Sequence, residues 1–463
     1  MRIVDHRGPS DLKTRDRTAP LPTPSGPKRP PSTPSAAAVL RPLIGHFLGD
    51  RVPICFEFWD GSTIEPTIEP TGGSAQVPAV VRVHSVDAVR RILWAPGEIG
   101  LARAFVAGDI EIDGDIVATL RAMSEVSDKD MRQLGVRALP AALAGALGLG
   151  ALRLPPPPPP EEARPRGRRH SPSRDAQAIS HHYDVGNNFY ELVLGPAMTY
   201  SCARFADDTT NLEDAQWAKH ELICRKLGLH ERPGARLLDV GCGWGSMALH
   251  AASCHGASVV AVTLSAAQAQ YARRRVADAG LADRIEIRLQ DYRDLRGERF
   301  EAISSIGMFE HVGASQMARY FEALHELLVP TGRLLNHAIS SPGGARVSSR
   351  TFIGRYVFPD SELQDVGEVL LAMERAGFEI RDVESLREHY SRTLRAWVAN
   401  LESRWLEAVA LVGAARARVW RLYMAGSAVG FDDGGIGIHQ VLGVVPGADG
   451  SSAMPLSRHA WTL

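Results

Sequence analysis

Three glycines spaced by single residues, Gly241, Gly243 and Gly245, follow an apolar run that ends at Asp239 in LLDVGCGWG. Glycine has no side chain to hold a ligand away, so such a turn lets backbone N–H groups approach it closely as a helix opens at Ser246. The plainer reading is an ordinary strand–turn–helix corner. Two later segments bear on the choice. VVAVTLSAAQ ends its apolar run at Thr263 and Leu264, with Ser265 and Gln268 just beyond, and their hydroxyl and amide groups can hold ribose. A further run ends at Gln290–Asp291–Tyr292, where an acceptor stands beside an aromatic face suited to adenine.

A dinucleotide-binding fold usually carries Asp or Glu about 20 residues after its glycine turn, for the ribose hydroxyls. No acidic residue occupies that strand end here. The GxGxG spacing also fits a nucleoside–methionine ligand better than a dinucleotide. The expected cofactor is S-adenosyl-L-methionine, with Asp239, Gly241, Gly243, Trp244, Gly245, Thr263, Leu264, Gln268, Asp291 and Tyr292 as candidate contacts.

Corners of this kind need a sheet to hold them. From about residue 175 to 445, strand-like runs (RLLDV, VVAVTL, IEIRLQ, FEAISSIG, TGRLLNHAI) alternate with helix-like ones (GSMALHAASCHG, SAAQAQYARRRVADAG, ASQMARYFEALHELLV). That alternation predicts an α/β, doubly wound (Rossmann-like) domain. Residues 39–154 predict a small α/β domain followed by a helical segment. Within it, Val52–Phe58 and Val77–His84 read as strands, and Ser85 as the N-cap of a helix reaching Leu93. Residues 1–38 are rich in Pro, Ser, Arg and Thr and read as disordered. Pro155–Pro160 and the basic stretch to residue 174 read as a polyproline II spacer and mobile linker. Residues 446–463 read as a loose tail.

The formal net charge is -1, which excludes a dominant nucleic-acid footprint. Cys55, Cys202, Cys224, Cys242 and Cys254 show no CxxC pair, so reduced thiols in the cytoplasm are expected, with neither a disulfide framework nor a metal site. No secretory signal or spanning helix is visible. The nearest candidate, residues 138–154, contains Pro140 and Arg153 and would pack on protein or touch a membrane surface. The arginines of the linker read first as a solvated segment, with attraction to anionic lipid as the functional alternative.

Longer strings narrow the family. HYDVGNNFYELVLGPAMTYSCARF (182–205), GMFEHVG (307–313), LLNHAIS (334–340) and HYSRTLRAW (389–397), with LLDVGCGWG and QDYRDL, resemble the cyclopropane-fatty-acyl-phospholipid synthases and mycolic acid methyltransferases. The domain at about 39–126 resembles the lipid-binding domain of the phospholipid-acting type. The resemblance implies methyl transfer to the cis double bond of an unsaturated phospholipid acyl chain, with cyclopropane formation. The main alternative is a methylene-branched product.

The resemblance also implies a bound bicarbonate as base, held by Cys202, Glu310, His337, Tyr390 and the backbone of Ile339. It adds Tyr183, Tyr200 and Ser201 to the cofactor contacts. Taken singly, Cys202 is more often a buried small hydrophobe, His337 a satisfied core histidine, Glu310 a helix cap and Tyr183 a packing aromatic. A homodimer is implied by relatives alone. The acyl substrate lives in a bilayer, so peripheral association with the inner face of the cell membrane is expected.

Overall fold

The computed structural model describes residues 35–48, 52, 54–67, 79–130, 145–163, 185–346, 351–359 and 361–461. Helix α1 (Ala36–Leu48) opens the described chain. Its first N–H groups are capped from a distant segment: Ala36 donates to Asp60 Oδ2 at 2.7 Å and Ala37 to Ser62 Oγ at 2.9 Å. Ala36, Ala37 and Leu40 are buried. The expected disordered stretch to residue 38 is therefore corrected at its end, because residues 35–38 start a capped helix. Residues 1–34 lie outside the described residues.

Strands β1 (Cys55–Phe58), β2 (Thr63–Ile64), β3 (Val80–Val83) and β4 (Ile110–Asp113) form a sheet ordered β2-β1-β3-β4. In β1 and β3 the side chains alternate between half-buried and buried, as expected of a sheet with one face on a core. Helix α2 (Val86–Trp94) starts where expected, with Ser85 accepting the Asp87 N–H. Such a cap contributes about 1 kcal/mol. Helices α3 (Glu98–Ala107) and α4 (Ile116–Asp130) complete the unit.

The proline run does not behave as a free spacer over residues 155–163. Arg91 donates to the Pro157 carbonyl at 2.9 Å, and Pro159 is buried. Glu162 follows, nearly fully buried, bonded in two-pronged fashion by Arg103 at 2.8 and 2.9 Å and approached by Arg355 at 3.2 Å. A carboxylate buried between two guanidinium groups has to be held in place, so the segment docks. The basic stretch 164–174 lies outside the described residues.

Beyond it come α5 (Asn187–Leu194), α6 (Leu212–Leu227), β5 (Arg236–Val240), α7 (Ser246–His255), β6 (Ser258–Thr263), α8 (Ala266–Asp278), β7 (Ile285–Leu289), β8 (Phe300–Ile306), α9 (Met317–Glu326) and β9 (Leu328–Ser340). After a short hairpin of β10 (Ala345–Arg346) and β11 (Glu362–Leu363), the chain adds α10 (Val366–Arg375), β12 (Glu379–Ser385), α11 (Arg387–Ser403), α12 (Trp405–Val412), α13 (Ala414–Asp432) and β13 (Gly437–Val444). The central sheet has seven strands in the order β12-β13-β9-β8-β5-β6-β7. Strands β5 to β9 are parallel, and β13 runs antiparallel to both of its neighbours. Helices cover both faces, so β5 is buried from Leu237 to Val240, as parallel strands require. This is the expected doubly wound α/β fold.

One hydrophobic cluster runs from Phe56, Val81 and Phe105 of the N-terminal unit into Trp397, Trp420 and Met424 of α11 and α13. The N-terminal unit thus shares a core with the larger domain. The C-terminal segment also departs from the loose tail expected. Trp461 is buried, and the Ala453 carbonyl accepts from Arg333 at 2.9 Å.

Candidate active site

The strand order reverses direction between β5 and β8, the place where an open α/β sheet splays to admit a ligand. A cavity of about 340 Å³ lies there, at the C-terminal strand ends. Asp239, Gly241, Gly243, Trp244, Thr263, Leu264, Gln268, Asp291 and Tyr292 line it, as do Tyr200 and Ser201. Gly241 has φ +76°, and a Cβ there would meet Met308 at 2.8 Å, so only glycine makes this turn. Gly245 does not line the cavity. It turns into α7 against Ala272, which a Cβ would approach to 3.2 Å. Tyr183 lies outside the described residues.

Several lining groups hold one another in place. Thr263 Oγ1 donates to Gln268 Oε1 at 3.0 Å. Trp244 Nε1 donates to Asn187 Oδ1 at 2.8 Å. Asp291 lines the cavity while Arg293 donates to both of its carboxylate oxygens, at 2.9 and 2.6 Å, which fixes its orientation. At the cavity floor, Asp239 Oδ1 accepts from Ser304 at 2.8 Å while Oδ2 is buried without a partner. Burial pushes this carboxyl up to about 6, against the pull of Ser304 and Lys219. The glycine turn and this orphaned acceptor suit a ligand carrying an adenosine and an ammonium group.

The lining residues not anticipated include Lys219 and His220. Lys219 is fully buried on α6 and donates to Ser201 Oγ at 2.9 Å, with His220 Nε2 also at 2.9 Å. Burial drives its ammonium down to about 7. The sequence signal is a lysine on the same helical face as Ala215 and Ile223, where an apolar residue belongs.

None of the residues implied as anion ligands lines this cavity, although Ser201 and His311, the chain neighbours of Cys202 and Glu310, do; the five are joined by a continuous set of contacts. Glu310 Oε1 accepts the Ile339 N–H at 2.8 Å. Ile339 pairs with Ile438 across β9 and β13, and the Ile438 carbonyl accepts from Leu386 N–H. The Leu386 carbonyl lies 3.6 Å from Cys202 Sγ and accepts the Tyr390 N–H at 3.0 Å. His337 stands two residues before Ile339 on the same strand and face.

Their polar atoms are unevenly satisfied. Glu310 Oε2 and both His337 ring nitrogens are buried without hydrogen-bond partners. Burial raises the Glu310 carboxyl to about 7 and pushes His337 far below its ordinary value, which makes it a neutral imidazole with one donor and one acceptor. Such orphaned groups fit a small hydrogen-bonding anion. Cys202 and Ile339 fit less directly here: Cys202 Sγ points at the carbonyls of Ala203 and Leu386, and the Ile339 N–H is taken by Glu310. Gln440, directly opposite His337 in the β9–β13 register, adds a buried amide with both polar atoms unpartnered. Its signal is a polar residue between Ile438 and Leu442 on the inward face of β13.

Residues 170–441 match the family model described as mycolic acid cyclopropane synthetase. The chain belongs to that family. The synthetase family is one of S-adenosylmethionine-dependent methyltransferases, and this chain is such an enzyme. A probable fatty acid methyltransferase of Mycobacterium tuberculosis is 42% identical over 415 residues, covering 87% of this chain and 94% of its own length. The cyclopropane-fatty-acyl-phospholipid synthase of Escherichia coli is 35% identical over 335 residues, covering 72% of this chain and 79% of its own. The crystal structure of a mycolic acid cyclopropane synthase complexed with SAH and CTAB superposes with a TM-score of 0.54 at 32% identity. It covers 58% of this chain and 97% of that one.

Proposed function

We propose that this synthetase-family chain methylates the cis double bond of an unsaturated phospholipid acyl chain and closes the product to a cyclopropane. The observation that carries the reading is the buried, unpartnered set of Glu310 Oε2 and the His337 ring, adjoining the cofactor cavity. When bound, S-adenosylmethionine supplies an electrophilic methyl group, and bicarbonate supplies a base.

An isolated alkene is a weak nucleophile, so the protein has to align it and exclude water. The surroundings suit that task. Tyr200 and Trp397 approach with ring centroids 5.3 Å apart, Tyr200 and Trp420 at 5.9 Å, and Tyr390 and Trp397 at 6.1 Å. Methyl transfer leaves positive charge on the acyl chain, and aromatic faces stabilise a nearby cation. Ring closure needs a proton removed from the new methyl. Glu310, His337 and Tyr390 are assigned to hold the base, Glu310 by accepting its hydroxyl and His337 by donating to its oxygen. Lys219, Asp239, the Gly241–Gly243 turn, Thr263 and Gln268 are assigned to the cofactor.

Exposed apolar side chains support a membrane-surface role. Trp94, Leu147, Leu152 and Leu154 are all exposed, and Trp94 Nε1 donates to the Arg153 carbonyl, which sets Trp94 beside the segment carrying Leu152 and Leu154. Among the described residues, no helix is long and apolar enough to cross a membrane. The test is transfer of labelled methyl from S-adenosylmethionine to vesicles of oleoyl phospholipid and of a fully saturated phospholipid. Label in the oleoyl lipid alone supports the reading, and equal label in both overturns it. A second reading, methyl branching without a ring, is favoured by the 31% identity over 460 residues to a Mycobacterium tuberculosis protein named for tuberculostearic acid, a methyl-branched chain.

A further inference from the structure

Helices α6 and α7 pack together on one face of the sheet, and their contact holds a cluster that methyl transfer does not use. One ligand atom from each of Cys224, His250 and His255 lies within 4.8 Å of the other two. Glu221, one turn before Cys224 on α6, joins them: His250 Nε2 and His255 Nε2 stand 3.2 and 2.9 Å from the same oxygen, Oε2. Arg225 Nε binds the other oxygen, Oε1, at 2.8 Å and so fixes the carboxylate with Oε2 facing the imidazoles. Cys224 is fully buried, and Glu221 and His250 nearly so.

We propose that Cys224, His250, His255 and Glu221 form a structural site for a zinc-class divalent cation. Zinc bonds of about 2.0–2.1 Å to nitrogen or oxygen set neighbouring ligands of a tetrahedron roughly 3.3 Å apart, close to the two separations around Glu221 Oε2. A thiolate, two imidazoles and a carboxylate form a donor set of borderline softness, which suits zinc over magnesium or calcium. Four protein ligands leave no open position, so the ion would brace the fold without doing chemistry. Arg225 then acts as the outer partner that orients a ligand. The ligands come in pairs from two helices, which is why the cysteine spacing gives no sign of them. The brace has a purpose in this fold. Helix α6 carries Lys219 and α7 begins at the glycine turn, so the ion would tie together two walls of the cofactor cavity.

The experiment strips the full-length protein with chelator, adds zinc or cobalt(II), dialyses, and measures metal per chain and the cobalt absorption spectrum. One retained ion per chain is expected, with the intense visible bands of four-coordinate cobalt and a near-ultraviolet thiolate charge-transfer band. Cys224→Ser should abolish that band, His255→Gln should lose retention, and Cys254→Ser should keep both. His255 sits half-buried at the helix end, so His255→Gln decides the matter should Cys224→Ser not fold. No retained metal, or retention unchanged in the variant that folds, overturns the site. A thiolate band lost in Cys254→Ser instead of Cys224→Ser overturns the ligand assignment.

Discussion

Glu310 spends one carboxylate oxygen on the Ile339 backbone N–H, at 2.8 Å, and keeps the other buried without a partner. The first contact fixes the carboxylate relative to β9. The second leaves an acceptor aimed away from water, where an unmet hydrogen bond costs roughly 1–3 kcal/mol. Glu310→Gln keeps the shape but presents an amide. Turnover is expected to fall by a factor on the order of 10² or more, the usual size for loss of an acid–base or orienting group. Cofactor affinity, read by calorimetry, should stay near normal, and unchanged turnover would remove Glu310 from the mechanism.

The same residue sets a pH dependence. Burial raises its carboxyl to about 7, whereas an unfolded glutamate titrates near 4.3. The ionised form accepts the hydroxyl of the base, so turnover should rise with pH through about 7, and Glu310→Gln should lose that inflection. Stability runs the other way. The folded state holds the proton more tightly, so the contribution of Glu310 to stability is lost as pH rises between about 4.3 and 7. Denaturant unfolding of wild type and Glu310→Gln should differ least below about 4.3, diverge as pH rises to about 7 and keep a constant difference above it.

Lys219 tests the cofactor wall. It is buried at the cavity and reaches Ser201. Lys219→Met preserves bulk and removes the donor. A hydrogen bond from a charged group contributes about 1.5–3 kcal/mol, so cofactor affinity should weaken by roughly 10- to 100-fold. Calorimetric binding equal to wild type would show that Lys219 only fills space.

Glu162 tests how the N-terminal unit is fastened. Burial raises its carboxyl, but the Arg103 hydrogen bond and the Arg103 and Arg355 charges more than offset this and hold it below its ordinary value. Its stabilisation is therefore present above about 4.3 and lost as pH falls through the folded value. Glu162→Gln should cost about 1–3 kcal/mol at neutral pH, below the range for a fully buried pair because both arginines keep some exposure. Equal denaturation midpoints for variant and wild type would refute the coupling.

The cofactor site is largely legible in the sequence because its parts are local. The glycine turn, Thr263 with Gln268, and Tyr292 each sit at a strand end that apolar runs announce. Helix α1 is not legible in that way, since its caps come from Asp60 and Ser62 more than twenty residues away. The same holds for the docked prolines, whose partners are Arg91 on one side and, through Glu162, Arg103 and Arg355 on the other. Lys219 and Gln440 break an apolar pattern, and a residue that does so has to be checked for a role. The Cys224–His250–His255 cluster follows no linear spacing, because a helix pair assembles it.

The most direct test of ring formation is the structure of the lipid product. Purified protein is incubated with S-adenosylmethionine and oleoyl phospholipid vesicles, and the lipids are read by mass spectrometry and proton NMR. A gain of one methylene unit with upfield cyclopropane protons is the predicted result. The same mass gain with vinylic methylene protons, or no gain at all, would contradict it.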